Sequence, residues 1–160
     1  MNKYIFLLLA MLGSISCFAQ TSEENISWEQ IKKEVVELKT FHIEINQAIP
    51  RRGRSIHSSN HFLSIQNDSL ISALPYYGRA TNIAYGGGDG LNFQAPLKTY
   101  QVDQSKAKEL NISFKVSSPD DYYEYQLTIF PNKKVSLQVI GVNRDPISFL
   151  GDYVSKAKEK

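Results

Sequence analysis

Residues 110–139 have the sequence LNISFKVSSPDDYYEYQLTIFPNKKVSLQV, in which apolar and polar side chains alternate in three short runs. Turn-forming residues separate the runs at 118–121 and 131–133. A period of two places the apolar side chains on one face of a β-strand, and short turns join neighbouring strands into antiparallel hairpins. The stretch therefore predicts an antiparallel β-meander with one apolar and one polar face.

The same alternation extends the predicted sheet in both directions along the chain. Strand-like runs occupy 41–46, 60–66, 69–74, 91–97, 100–102 and 147–154. No helical pattern lies between them, which excludes parallel βαβ units. We expect a mainly β domain at 41–154, an antiparallel meander of about eight or nine strands that forms a curled sheet or is barrel-like.

One helix precedes the sheet, within an N-terminal segment at 20–40. Trp28, Ile31, Val35 and Leu38 recur near helical spacing, which predicts an amphipathic helix of about three turns. Ser27 and Gln30 form a capping-box pattern, in which each side chain bonds the backbone N–H of the other residue. Because one face of the sheet is apolar, the sheet must curl on itself or take this helix as a lid.

Residues 1–19 have the pattern of a secretory signal peptide. Lys3 precedes the apolar run Tyr4–Leu12, which is too short to span a bilayer, and Cys17-Phe18-Ala19 fits a cleavage site. The alternative is a lipid anchor at Cys17, although Ser14 stands where such signals usually have Leu. Both interpretations predict export to the periplasm or cell envelope, and neither leaves a transmembrane helix after the signal. Residues 155–160 are expected to form a flexible tail.

Composition narrows the function classes further. The formal net charge is +2, and removal of Lys3 with the signal lowers it by one, so nothing drives binding to nucleic acid. The chain's one cysteine lies in the signal, so a mature chain that begins at Gln20 has no disulfide, thiol nucleophile or thiolate metal site.

The segment 75–90 is the longest stretch without an apolar period, and it is our candidate ligand-binding loop. It is rich in glycine and in side chains that recognise ligands. Arg144 joins the candidates if the segment 143–151, which shares the family resemblance described below, converges with this loop. The candidate residues are Tyr76, Tyr77, Arg79, Tyr85, Asp89 and Arg144. The alternative is structural: the tyrosines pack over a barrel end and Arg79 bonds a carbonyl or Asp89.

Three further clusters are interpreted as structural. His57 and His61 lie in a loop and a strand, where their four-residue separation is too long for one metal ion. The acidic group at 120–124 and the arginines of the 51–54 turn are expected to be solvated turns. No serine nucleophile elbow is present, and we assign no catalytic residue, metal ligand or cofactor.

Three segments, 74–80 (LPYYGRA), 85–90 (YGGGDG) and 143–151 (NRDPISFLG), together resemble one family. It is the domain-of-unknown-function family numbered 4251, secreted proteins typical of Bacteroidota, and the resemblance covers roughly residues 40–153. The resemblance implies export to the cell envelope and carries no catalytic residues.

The leading hypothesis is an exported envelope protein that is not an enzyme and binds a small ligand or a partner protein. Two alternatives stay open. One is a hydrolase of envelope glycans or peptides, which needs two titratable groups converging in a cleft. The other is a structural protein that self-associates through an exposed strand edge.

Overall fold

The computed structural model describes residues 26–81, 91–119 and 121–155. A short helix α1 (Trp28–Lys32) continues directly into a π-helical turn (Lys33–Glu37), and eight strands follow. The strands are β1 (Phe41–Pro50), β2 (Ile56–Gln66), β3 (Ser69–Leu74), β4 (Leu91–Asp103), β5 (Leu110–Ser117), β6 (Tyr122–Ile129), β7 (Lys134–Gly141) and β8 (Ile147–Val154).

Each strand pairs antiparallel with the next one in the sequence, and β8 pairs antiparallel with β1. The eight strands therefore form a closed up-and-down barrel, which confirms the predicted mainly β meander with one N-terminal helix. Closure follows from the alternating pattern, because it buries the apolar face of every strand and leaves none of the eight described strands with a free edge. Each of the eight described strands has a neighbour on both sides, so none of them offers a whole edge for self-association.

The seam between β1 and β8 depends on a glycine. A Cβ atom at Gly151 would overlap the carbonyl oxygen of Glu44 on the neighbouring strand. The pairing register of β1 also shifts between Ile45 and Gln47, on both the β2 and the β8 side. Such a bulge bends a strand and increases its twist, which is what closing a barrel requires.

The barrel interior is filled with side chains. The largest fully buried ones are aromatic, and Phe114 stacks on Tyr125 with 4.9 Å between the ring centroids. The buried hydroxyl of Ser72 makes polar contacts beside these rings. It donates to the carbonyl oxygen of Leu91 at 2.6 Å and lies 3.5 Å from the Tyr125 hydroxyl. The interior is thus a packed core.

The helix closes the end of the barrel where β1 begins. Ile31 and Val35 are fully buried and belong to the core. The Tyr100 hydroxyl donates to the carbonyl oxygen of Val35 at 2.8 Å, and the Tyr153 hydroxyl donates to the carboxylate of Glu34. The helix is therefore a lid, fixed by one buried tyrosine, Tyr153, and one half-buried tyrosine, Tyr100.

Several local predictions need correction. Ser27 caps the helix, but the Gln30 side chain donates to Glu34 instead of accepting from the Ser27 N–H, so only half of the capping box forms. Leu38 is 58% exposed, because the wider π-helical turn rotates it away from the stripe of Ile31 and Val35. The two strand pieces predicted at 91–102 are one strand, β4, with a register shift between Leu97 and Thr99.

The predicted signal segment at 1–19, with Cys17, and the tail residues 156–160 lie outside the described residues. No helix in the described ranges is long and apolar enough to cross a membrane.

Candidate functional site at the barrel mouth

The turns that alternate with the strands gather at the two ends of the barrel. The end opposite the helical lid, which we call the mouth, carries the chain segments 51–55, 75–81, 118–119 and 142–146, and Asp121. In β-barrels the connecting segments at one end are the usual location of a binding site, because a rigid wall positions them.

Two segments of the family resemblance meet at the mouth. Ala80 and Arg144 form an antiparallel bridge, the N–H of Thr81 donates to the carbonyl oxygen of Asn143 at 2.9 Å, and the N–H of Asp145 donates to that of Arg79 at 3.0 Å. The structure therefore brings Arg144 to the 75–81 segment, which was the condition for including Arg144 among the candidates.

Tyr76 fastens this junction. Its hydroxyl lies 2.9 Å from the carbonyl oxygen of Arg79 and 3.0 Å from that of Asp145. Gly78 makes the arrangement possible, because a Cβ atom there would lie 2.5 Å from the Tyr76 hydroxyl oxygen. Burial raises the pKa of Tyr76, and the nearby charge of Asp145 raises it further, so the hydroxyl stays a donor at neutral pH.

A pocket of about 270 Å³ opens beside this junction. Its lining residues are Arg51, Arg52, Tyr77, Gly78, Arg79 and Asp145. Arg51 lies 3.5 Å from the carboxylate of Asp145, whereas neither Arg52 nor Arg79 has an ion-pair partner in the described ranges. The pocket therefore has an excess of positive charge, next to the exposed ring of Tyr77. We call it the rim pocket.

Arg144 lies at the mouth but is buried, with 7% of its surface exposed. Its guanidinium carbon lies 5.1 Å from the centroid of the Tyr76 ring, within range of a cation–π contact. Its Nε and Nη2 atoms are buried and have no hydrogen-bond partner among the described residues. A buried guanidinium edge without acceptors is rare in folded proteins.

Asp121 holds the mouth together and corrects a prediction. We expected a solvated turn at 120–124, but Asp121 is 7% exposed. Its carboxylate accepts hydrogen bonds from the backbone N–H groups of Tyr122 and Asn143 and from the side-chain amide of Asn143. It therefore ties the β5–β6 turn to the β7–β8 turn. Gly141 leaves room for it, because a Cβ atom there would lie 2.9 Å from an Asp121 carboxylate oxygen.

The structure thus places four of the six candidate residues, Tyr76, Tyr77, Arg79 and Arg144, at one end of the barrel. Tyr85 and Asp89 lie outside the described residues. Sequence reasoning missed Arg51, Arg52 and Asp145 as site residues. The available signal was the occurrence of three arginines within four residues of a turn, which we interpreted as a solvated loop.

A second concave surface lies on the outer wall of the barrel, between β1 and β2. This groove of about 390 Å³ is lined by all three histidines of the sequence. The Ser58 hydroxyl lies 2.8 Å from Nδ1 of His61, in a segment where three residues of β2 bulge opposite Asn46. Among the described residues, no three His, Cys, Asp or Glu side chains converge closely enough to share a metal ion.

Comparisons with known proteins give a family and a fold. The model of a family described as a domain of unknown function, DUF4251, matches residues 23–153. The crystal structure of a DUF4251 family protein from Bacteroides eggerthii DSM 20697 superposes with a TM-score of 0.57. It is 16% identical in sequence, and the match covers 75% of this chain and 82% of that one. At that identity the likeness concerns the fold alone. No curated protein matches the sequence.

Proposed function

This chain belongs to the DUF4251 family, whose model spans residues 23–153, and we propose that it binds a small anionic ligand in the rim pocket. The observation that carries the proposal is the charge of that pocket: three guanidinium groups face one carboxylate. Arg52 and Arg79 are free to donate, and a guanidinium presents paired N–H groups that match the oxygens of a carboxylate or phosphate.

The shape of the pocket supports a small ligand. Its volume of about 270 Å³ is close to the lower limit for ligand sites in proteins. Tyr77 is 40% exposed and supplies an aromatic face on which an apolar part of the ligand packs. The packed interior of the barrel leaves the ligand at the mouth rather than along the barrel axis.

Isothermal titration calorimetry of the purified protein with inorganic phosphate and with succinate tests the proposal. A charge-assisted hydrogen bond contributes about 1.5–3 kcal/mol. We therefore expect Arg52→Ala and Arg79→Ala each to weaken binding of the phosphate probe about tenfold or more. Arg54→Ala is the matched control, because Arg54 belongs to the same turn but does not line the pocket.

Two outcomes contradict the proposal: wild-type protein that binds neither anion, or pocket variants that bind phosphate as tightly as the Arg54 control. Raising the salt concentration should also weaken binding, because Arg52 and Arg79 are exposed and their attraction for an anion is screened.

We further propose that the protein acts in the periplasm or cell envelope. The signal-peptide pattern of residues 1–19 supports this. Mass spectrometry of the protein recovered from its host distinguishes the two processing routes: a mature N-terminus at Gln20 indicates simple cleavage, and a lipid-modified Cys17 indicates an anchor. An intact Met1 would contradict export through this signal.

The hydrolase alternative has one observation in its favour, the contact between Ser58 and His61 in the outer groove. A serine hydroxyl beside a histidine nitrogen is the start of a nucleophile–base pair. Against it, Ser58 is 4% exposed. Labelling with a fluorophosphonate probe that Ser58→Ala abolishes and Ser59→Ala preserves would support hydrolysis. Unlabelled wild-type protein would end the assignment of Ser58 as a nucleophile.

A further inference from the structure

We propose that Arg144 is a second anion-binding residue of the same site, whose Nε and Nη2 groups receive a carboxylate of the ligand. The inference rests on the proposed function, because it assigns a chemical class to the ligand of the rim pocket. It starts from the two buried guanidinium donors without acceptors in the described structure.

The pairing of these two atoms is specific. Nε and Nη2 carry N–H bonds that point in the same direction from one edge of the guanidinium plane. This edge matches the two oxygens of one planar carboxylate, which accepts two parallel hydrogen bonds. Two adjacent unpaired donors on one edge therefore fit a bidentate acceptor.

The two acidic side chains among the described residues of the mouth are already engaged elsewhere. The Asp145 carboxylate pairs with Arg51, and that of Asp121 accepts from Tyr122 and Asn143. Burial of a cation without hydrogen bonds is unfavourable, and the Tyr76 ring compensates for part of that loss. In the unliganded fold the Nε and Nη2 groups of Arg144 thus lack acceptors among the described residues, and an incoming carboxylate would supply them.

Tyr76 connects Arg144 to the rim pocket. Its ring contacts the Arg144 guanidinium, and its hydroxyl bonds the backbone of Arg79 and Asp145, two residues that line the pocket. Tyr76 is partly exposed, so its side chain has space to leave. In our proposal the ligand enters from the rim pocket, the Tyr76 ring swings outward, and the carboxylate takes its place beside Arg144.

The test compares three forms of the full mature protein, with succinate and inorganic phosphate as probes: wild type, Arg144→Lys and Arg144→Met. Lysine keeps the charge but not the two-pronged edge, and methionine removes the buried charge. We expect both variants to bind succinate at least tenfold more weakly than wild type. The Arg54→Ala control should bind succinate as tightly as wild type, because Arg54 does not line the pocket.

Two readouts separate ligand binding from a structural role. Wild-type protein should show a shift of the Arg144 Nε–H NMR signal when succinate is added. Unliganded Arg144→Met should melt at the same temperature as wild type or higher, because the unpaired buried cation has gone. A lower melting temperature together with unchanged succinate binding overturns the proposal, since Arg144 would then only support the fold.

The two proposals fail in different ways. Phosphate binding that needs Arg52 and Arg79, together with succinate binding that ignores both Arg144 variants, overturns the Arg144 site and leaves the rim pocket. Succinate binding that depends on Arg144, without any phosphate binding, supports the Arg144 site and contradicts the rim pocket. Wild-type protein that does not bind succinate overturns the Arg144 site outright.

Discussion

The hydroxyl of Tyr76 lies 3.0 Å from the carbonyl oxygen of Asp145, a residue 69 positions further along the chain. The same hydroxyl lies 2.9 Å from the carbonyl oxygen of Arg79. A phenol has one proton to donate, so the two carbonyl groups share it. The side chain of Tyr76 therefore joins the 75–81 segment to the β7–β8 turn and fixes the wall of the rim pocket.

Removal of this hydroxyl should loosen the mouth. Tyr76→Phe keeps the ring but removes this donor from both carbonyl oxygens, and among the described residues only that of Arg79 keeps another one, the N–H of Asp145. We therefore expect the free energy of unfolding to fall by about 1 kcal/mol. Urea denaturation measures the change. Tyr77→Phe is the matched control, because Tyr77 is 40% exposed and no hydrogen bond of its hydroxyl is described. Equal stabilities of the two variants would contradict the role assigned to Tyr76.

The barrel seam makes a stronger prediction. An alanine at Gly151 would bring its Cβ atom into the carbonyl oxygen of Glu44, so the β1 and β8 strands must separate. We expect Gly151→Ala to lower the free energy of unfolding by about 3 kcal/mol or more. Leu150→Ala, at the exposed neighbouring position, should change it by less than about 1 kcal/mol. Thermal unfolding of both variants decides the question, and a fully stable Gly151→Ala would show that the seam tolerates a side chain.

The same seam marks the limit of what the sequence predicted. Alternation within 110–139 predicts strands and hairpins because each contact is local, and these predictions are confirmed. Pairing of β8 with β1 joins residues about a hundred positions apart and depends on Gly151 and on the bulge after Ile45. No local pattern encodes that pairing, so the sequence left a curled sheet and a barrel as equal outcomes.

Part of the candidate site could likewise be predicted from the sequence, and part of it could not. Tyr76, Tyr77 and Arg79 stand in one continuous segment, and the family resemblance suggested Arg144. Arg51 and Arg52 reach the pocket only because closure pairs Pro50 with Ile147 and so places the β1–β2 turn beside the β7–β8 turn. Their contribution follows from the closed barrel and was therefore out of reach before the topology was known.

The helical lid should contribute more stability than its length suggests. Ile31 is fully buried against the barrel core, so Ile31→Ala removes buried methyl and methylene groups and leaves a cavity. We expect a loss of about 2–5 kcal/mol. Leu38→Ala, in the same segment but 58% exposed, should cost less than about 1 kcal/mol. Chemical denaturation of the two variants makes the comparison, and a small effect of Ile31→Ala would mean that the helix is not part of the cooperative unit.

The contact between Tyr153 and Glu34 at the lid makes stability depend on pH in the alkaline range. Burial raises the pKa of Tyr153, and the hydrogen bond to Glu34 raises it further, so the folded state favours the neutral phenol. An unfolded tyrosine has a pKa of about 10. Below that pH both states keep the proton and the stabilisation is complete. Above it the unfolded chain loses the proton first, and stability falls as pH rises.

Tyr153→Phe removes this titration together with the hydrogen bond. We expect the variant to be less stable than wild type at pH 8 by about 1 kcal/mol, since the Oε2 atom of Glu34 loses its donor while Oε1 still accepts from Gln30 and Ser155. Between pH 10 and 11 the stability of wild type should then fall by about 1 kcal/mol more than that of the variant. Urea denaturation across this range measures both curves. Parallel curves would mean that Tyr153 ionises as easily in the folded protein as in the unfolded chain, and that the contact with Glu34 does not stabilise the neutral phenol.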